Sequence, residues 1–531
     1  MDEMDEKSFL ELAHLGPMEA SRRLKDPSHP NFLEAFINNL LSMCCPFDGG
    51  EEMDVERDLA GYPFQTWLLW LSTSPSGEET PDDYVRRVQD SFGAKSNVCG
   101  RIWGKGYIAY RCRTCGMSPC SAICHECFEN GPHRNHNFLM YRSVAGGCCD
   151  CGDPGAWRPS GFCRHHKGAP VTFRLPLPRA ELELAYRSIS CIVRHVASVM
   201  LQQYREDAER IMSNGEEKLV SAPVTWLLAF LQQLCTSGDV YRRIVCAATL
   251  QEPSLVFADT PVGGGAAGDG SSVLGQTKGG EIMNMVMQCG TFLSAELSTL
   301  FLQMLFDFDF KVAFTRCFIS QYSSFMSSVV RLADRRDVPT RMVDVSVQLF
   351  SNAALTVRMI KEEALISTLF RNVLWLCQEG GSAPPPTNPD PTGGTGGPPL
   401  VVNAEAVVWT RRTYWPITND LVNILSHRSA VHAVLMNPGL VREWIEVARR
   451  FQGMDMQVRM RGRHIEMENR HWTAPLFIEL ELVMEQLSLF EPSIKETLSP
   501  PPAKPSVLPE QGASAGDAEG DGGCCGEGGE C

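Results

Sequence analysis

Ten of the chain's 21 cysteines and five of its 12 histidines fall between Cys99 and His166. Most stand in pairs: Cys112-x-x-Cys115, Cys124-x-x-Cys127, His133-x-x-His136, Cys149-x-Cys151 and Cys163-x-x-His166, preceded by a single Cys99. Donors one or two residues apart can bend around one ion, which is the spacing of zinc sites. A core that merely happened to be rich in cysteine would not set its thiols in successive pairs. The flanking Cys191, Cys235, Cys246, Cys289, Cys317 and Cys377 stand singly in apolar stretches and read as small core residues.

The paired set with Cys99 supplies eight cysteines and three histidines. Three tetrahedral zinc ions are satisfied by these eleven ligands if one thiolate bridges two ions. Cys120, Cys148, His125 and His165 are then surplus. The segment has few aliphatic residues, and one so short cannot bury enough apolar surface to hold itself together. Structural zinc contributes on the order of 10 kcal/mol of folding free energy per site. The metal is therefore read as a structural staple with closed ligand sets, not as a catalytic ion with an open water position.

Charge and ends bound the rest. A net charge of −15 argues against general nucleic-acid binding, which needs a basic face to displace counterions. The acidic N-terminus leads into no long apolar run, and Trp67–Leu71 is too short to span a bilayer. No membrane insertion is expected, and the thiols suit a reducing compartment, cytoplasmic or nuclear. A Cys₂His₂ finger that binds DNA is the rival reading. Against it, His133-x-x-His136 is tighter than the usual finger spacing and no basic recognition helix precedes it.

Outside the cysteine block the pattern is helical. Residues 1–94 carry apolar positions at helical spacing, among them Phe9, Ala13, Phe36, Ile37 and Leu40. Residues 179–257 read as a long amphipathic helix followed by a greasier helical stretch. A Gly/Ser-rich linker follows at 258–280, then helices at 281–377, a Pro/Gly linker at 378–402, and helices again at 403–491. From 492 to 531 the composition collapses into Pro, Gly, Ala and acids, which reads as a disordered tail. The fold class is thus a mainly α-helical scaffold carrying a small, loop-rich, zinc-stapled domain at 97–168. No repeat of fixed period is visible.

Within that domain, Cys99-Gly-Arg-Ile-Trp, Tyr110-Arg-Cys-Arg-Thr-Cys, Cys124-His-Glu-Cys-Phe, His133-Arg-Asn-His, Cys149-Asp-Cys-Gly-Asp and Gly161-Phe-Cys-x-x-His166 resemble the UBR box of E3 ubiquitin ligases. The resemblance implies a reader of protein N-termini, or N-degrons, that promotes ubiquitination and degradation of its targets. It implies one zinc held by Cys112, Cys115, His133 and His136. A two-zinc cluster would be held by Cys99, Cys124, Cys127, Cys149, Cys151, Cys163 and His166, with Cys127 as the bridge by analogy.

By the same resemblance, Asp150 and Asp153 line the substrate pocket. A carboxylate there would pair with the guanidinium of an N-terminal Arg or with the α-amino group. Alternatively, both acids merely accept backbone hydrogen bonds in a tight loop. Ser118 stands where typical boxes carry a third acid, Trp103 and Cys148 replace aromatic Phe positions beside the pocket, and Cys120 replaces a Thr. Those departures look most like a divergent branch of the family, with a preference for an uncharged N-terminus. Full-length relatives recruit the ubiquitin-conjugating enzyme through a RING, but no second cluster of paired Cys and His follows His166. The expectation is a recognition part that lacks the RING and meets that enzyme only through a region beyond it. A helical scaffold in which the box only stabilises structure is the alternative.

Overall fold

The computed structural model describes residues 4–25, 32–45, 58–91, 98–118, 120–143, 146–168, 175, 177–214, 222–257, 295–331, 337–378 and 411–452. Among these the chain is mainly helical, with a small region of short strands and turns at the box, as the sequence pattern requires. No described helix is long and apolar enough to cross a membrane. The linker expected at 258–280, the tail at 492–531 and, apart from Gln378, the linker at 378–402 lie outside the described residues.

The N-terminal helices Glu6–Ala13, Gly16–Leu24, Phe32–Cys44, Phe64–Ser72 and Pro81–Ser91 bury the apolar positions that the sequence spaces along them. Asp5 caps the first, accepting the Ser8 N–H at 2.7 Å. Trp67 is fully buried and donates its indole N–H to the Leu59 carbonyl at 3.1 Å, so it packs the core. The long helix Arg179–Asn214 is stitched to this group by polar bonds in an apolar seam. Ser188 donates to the Leu71 carbonyl at 2.8 Å, and His195 Nε2 meets the Cys45 carbonyl at 2.8 Å.

Three stretches that read as continuous helix are divided. Helices Ala222–Ser237 and Asp239–Leu250 part at Gly238, where the Gln89 side chain lies in the space a Cβ would fill. Helices Ala295–Met304 and Phe308–Arg331 part before Asp307, whose Oδ1 accepts the Phe310 N–H at 3.0 Å. Both Asp307 oxygens also take Arg243 Nη1 at 2.8 Å, a buried pair that ties two helices. Further on, Asp337–Phe350, Ala353–Glu362 and Leu365–Gln378 succeed one another, and Asn352 caps the middle one by accepting the Leu355 N–H at 3.0 Å. Packing of Gln89 at Gly238 and the capping side chains of Asp307 and Asn352, not the apolar period, mark these breaks. Helices Arg411–Leu425, Arg428–Leu435 and Pro438–Gln452 complete the described scaffold.

Helix Phe308–Arg331 buries Phe310, Phe314, Phe318 and Phe325 on one stripe, with Phe318 and Phe350 rings 6.1 Å apart. One carboxylate sits in this core. Asp420 accepts Tyr322 Oη at 2.7 Å and also the Ser346 hydroxyl, joining three helices.

Burial pushes the Asp420 carboxyl up to about 7, against the lowering effect of those two donors. The folded state therefore holds a proton between the unfolded value of about 4 and the folded one. The contribution of this site to stability falls as pH rises through that window and is flat above it. Asp420→Asn keeps the shape without the charge. It is expected to raise the urea midpoint at pH 8 and to leave it nearly unchanged at pH 5; a lower midpoint at pH 8 would contradict this account.

Candidate metal centre and adjoining acidic pocket

The box is built on a three-stranded antiparallel sheet with Ile108–Cys112 between Ile123–Cys124 and Phe138–Arg142. A two-stranded ribbon pairs Ile102 with Cys148 and Trp103 with Gly147. Each donor pair sits where the backbone turns. After the central strand the Cys115 and Gly116 N–H groups both fold back onto the Cys112 carbonyl, at 3.2 and 2.7 Å. Cys124 caps the short helix His125–Glu129 through the Cys127 N–H at 3.4 Å. The interior contains cysteines together with Trp157, Phe128, Tyr110 and Ile123, and little other aliphatic material.

Eleven side chains converge in three groups, the ligand atoms of each lying within 4.8 Å of one another. They are Cys112, Cys115, His133 and His136; then Cys99, Cys124, Cys127 and Cys149; then Cys127, Cys151, Cys163 and His166. Cys127 belongs to two of them. The spacing fits zinc, whose tetrahedral Zn–S bonds of about 2.3 Å place sulfurs roughly 3.8 Å apart. Cys99 and Cys124 sulfurs are 3.9 Å apart, and Cys163 Sγ lies 3.1 Å from His166 Nδ1.

His133 carries the same message. It is fully buried, and beyond a marginal approach to the Gly161 backbone neither ring nitrogen finds a hydrogen-bond partner among the described residues. Burial, with His136 beside it, pulls the imidazole down to about 4, so the ring is neutral and can donate a lone pair. Among the thiols, hydrogen bonds from Cys127 and Cys149 hold Cys124 far below its ordinary range. The Cys127 bond, against burial, brings Cys151 down to about 5. Crowded cysteine sulfurs and a buried neutral imidazole are the donor set of a soft divalent cation. The surplus residues stay outside the groups: His125 Nδ1 meets Tyr110 Oη at 3.2 Å, and Cys148 is buried in the ribbon.

The acidic loop runs through this cluster. Asp150 Oδ2 accepts the Ala122 N–H at 2.7 Å, while its own N–H donates to the Ala122 carbonyl at 2.9 Å. Asp153 Oδ1 accepts the Gly155 N–H at 2.8 Å. Both acids thus make the backbone bonds weighed from the sequence, but those bonds leave other carboxylate oxygens available. Burial pushes Asp150 up to about 7, against the Ala122 bond and with Asp153 adding to it.

The other expected pocket residues divide. Ser118 is committed to its own turn, its hydroxyl accepting the Cys120 and Ser121 N–H groups at 3.2 Å each. Cys120 is half-buried, and its thiol is pushed up by burial, with Arg111 and Asp150 as its charged neighbours. Trp103 is buried, stacked on Tyr107 at 5.1 Å, and its indole N–H meets no acceptor among the described residues.

Three residues that sequence reasoning did not single out complete the site, all from the helical scaffold. Lys311 Nζ lies 3.1 Å from Asp153 Oδ2, and Asn352 Nδ2 lies 3.4 Å from Asp153 Oδ1. Asp344 lies beside Gly146, where a Cβ would fall 3.5 Å from its Oδ2. The only signal in the sequence was a lysine inside an apolar helical stripe. The seam needs glycines on the box side. At Gly155 a Cβ would collide with the Asn352 side chain, and at Gly100 (φ 60°) one would fall 2.9 Å from the Phe306 ring.

Comparison with known proteins follows the same division. Residues 98–166 match the zinc finger in N-recognin, the UBR box, and residues 286–500 match a UBR1/2/3-like ARM repeat domain. The chain is similar to E3 ubiquitin-protein ligase UBR3 of Mus musculus, 30% identical over 72% of this chain and 24% of the relative. It is similar to ubr3 of Danio rerio, 27% identical over 81% of this chain and 27% of the relative. With E3 ubiquitin-protein ligase PRT6 of Arabidopsis thaliana it shares 25% identity over 76% of this chain and 18% of the relative. The chain spans about a quarter of the length of the UBR3 relatives it matches. The divergent branch expected from Ser118, Trp103, Cys120 and Cys148 agrees with those UBR3 matches.

Metal removal should act locally. With a strong chelator, the segment 98–168 is expected to become protease-sensitive while the far-UV helical signal largely persists. A box equally resistant with and without chelator would show that the donors need no metal.

Proposed function

We propose, from the premise that the chain belongs to the UBR-box family of E3 ubiquitin-protein ligases, that its box binds the N-termini of target proteins and that the chain is the substrate-recognition part of an N-degron ligase. The observation that carries this reading is the loop Cys149-Asp150-Cys151-Gly152-Asp153, where two carboxylates alternate with cysteines of the sulfur cluster. Zinc, when bound, supplies fixed anchor points that keep such a loop from rearranging. Cys112, Cys115, His133 and His136 would hold one ion. Cys99, Cys124, Cys127 and Cys149 would hold a second, and Cys127, Cys151, Cys163 and His166 a third, with the Cys127 thiolate shared.

A protein N-terminus brings an α-ammonium with a pKa of about 8, cationic at neutral pH. Asp153, though bonded to Lys311 and Asn352, keeps 20% of its side-chain surface open at the loop where that charge would approach. Asp150 has Cys120 as a neighbour, and Trp103 and Cys148 belong to the buried two-stranded ribbon of the box. The third acid is missing, and the Ser118 hydroxyl is spent on its own turn. The pocket therefore favours N-termini whose side chain is uncharged. Such a protein works where thiols stay reduced, in the cytoplasm or nucleus.

Titration of the full chain with Arg-, Lys-, Ala- and acetyl-initiated peptides tests this. Ala-initiated peptides are expected to bind, and acetylation, which removes the α-charge, is expected to cost about tenfold or more. Equal binding of free and acetylated peptides would remove the N-terminus reading. Tight Arg binding lost in Asp150→Ala would remove the altered preference.

Ubiquitin transfer belongs, in this proposal, to the whole ligase, with the conjugating enzyme engaged outside this chain. Mixed with ubiquitin, activating enzyme and conjugating enzyme, the purified chain is expected to build no ubiquitin chains; robust transfer would refute that assignment. A second reading, the box as an internal joint of a scaffold, is favoured by the ties from Asp153 to Lys311 and Asn352. It predicts that no N-terminus binds at all.

A further inference from the structure

We propose that Lys311 is the specificity-determining residue of the N-terminus pocket: its ammonium occupies, from within the chain, the place a basic N-terminal side chain would take. The inference rests on the N-terminus reading above and goes beyond it by naming what selects the ligand.

Three observations carry it. Lys311 is 6% exposed yet carries its charge to Asp153 Oδ2 at 3.1 Å, from a helix that enters the site from outside the box. Its neighbours along that helix, Phe310, Val312, Ala313 and Phe314, are buried apolar residues, so the charged end finds its compensation at the acidic loop. Asn352 holds the other Asp153 oxygen while capping its own helix, so the carboxylate is oriented from the scaffold side. Burial alone would discharge the amine, but the Asp153 carboxylate and then Asp150 keep its pKa above the ordinary lysine value.

Charge arithmetic gives the consequence. Of the two loop carboxylates, Asp153 is already paired through Oδ2 with Lys311 at 3.1 Å. Asp344, on the neighbouring helix, lies beside Gly146 and Cys148, and Arg111 faces the Cys120 side. An incoming basic side chain therefore meets a carboxylate that a buried ammonium of the same chain already holds. An Ala- or Ser-initiated chain brings only its α-ammonium. An Arg- or Lys-initiated chain brings a second cation that must either displace Lys311 into an apolar surrounding or sit against it. Both outcomes cost binding.

The test uses the full chain with Lys311→Met, which keeps the length of the side chain and removes the charge. Lys311→Gln, which retains a donor for Asp153, serves in case the methionine variant does not fold. Zinc content and circular dichroism establish that each is folded. Labelled peptides initiated by Arg, Lys and Ala, with acetylated controls, are titrated against parent and variants.

The expected result is a gain of about tenfold or more for Arg- and Lys-initiated peptides, the size of one charge-assisted hydrogen bond. Binding of the Ala-initiated peptide is expected to change far less. A purely structural role for Lys311 would lower every affinity together and raise none. Folded variants that bind Ala-initiated peptides like the parent and gain nothing for basic ones overturn the role of Lys311 alone. A parent that already binds Arg-initiated peptides tightly overturns it too. Failure of parent and variants to prefer any free N-terminus over its acetylated form overturns the N-terminus reading, and this inference with it.

Discussion

Sulfur and imidazole donors can share a cation only where the backbone brings them within one coordination shell, and in this protein that demand shapes everything from Cys99 to His166. The region has too little aliphatic material to fold by burial, and its interior is lined by the donors themselves with a few aromatic rings. Each turn serves the convergence: the fold-back onto the Cys112 carbonyl, the Cys124 cap on a short helix, the passage of Cys149 and Cys151 through the middle. Because Asp150 and Asp153 lie on that same passage, the force that holds the box also fixes its carboxylates.

The helical scaffold is more than a platform. It reaches into the acidic loop with Lys311 and Asn352, and the box receives it through glycines at 100 and 155 that leave room for Phe306 and Asn352. A buried ion pair is weak evidence for stability, since desolvation offsets much of the attraction. Its value lies in orientation and charge count. One lysine from an otherwise apolar stripe changes the net charge that the pocket presents, and does so without altering any residue of the box. Comparison of the box alone therefore misses a charged contact to Asp153 that comes from 158 positions away in the chain.

Much of the site was legible because its chemistry is local. Paired donors one or two residues apart announce themselves in the sequence, and Asp150 and Asp153 are flagged by lying among them. The departures at Ser118, Trp103, Cys120 and Cys148 pointed to the divergent branch before any geometry was known. The structure supplied what those letters do: Ser118 closes a turn, Trp103 is buried, and Cys120 lies beside Asp150 and Arg111. Helical content was legible from the apolar period, but its breaks at Gly238, Asp307 and Asn352 were not. There the period continues and only capping and packing partners end the helix. The ARM repeat relationship was equally hidden, because such repeats conserve a burial pattern and not a fixed spacing of identities.

By itself the sequence determined that residues 97–168 form a box of eleven convergent donors with two acids among them, carried on helices. Spacing along the chain is enough to specify chelation. Only the tertiary structure decided what stands opposite those acids, because Lys311 and Asn352 meet the loop across long stretches of chain and through no sequence pattern. Coordination is written in neighbours along the backbone; charge compensation is settled by whichever helix packs against the pocket.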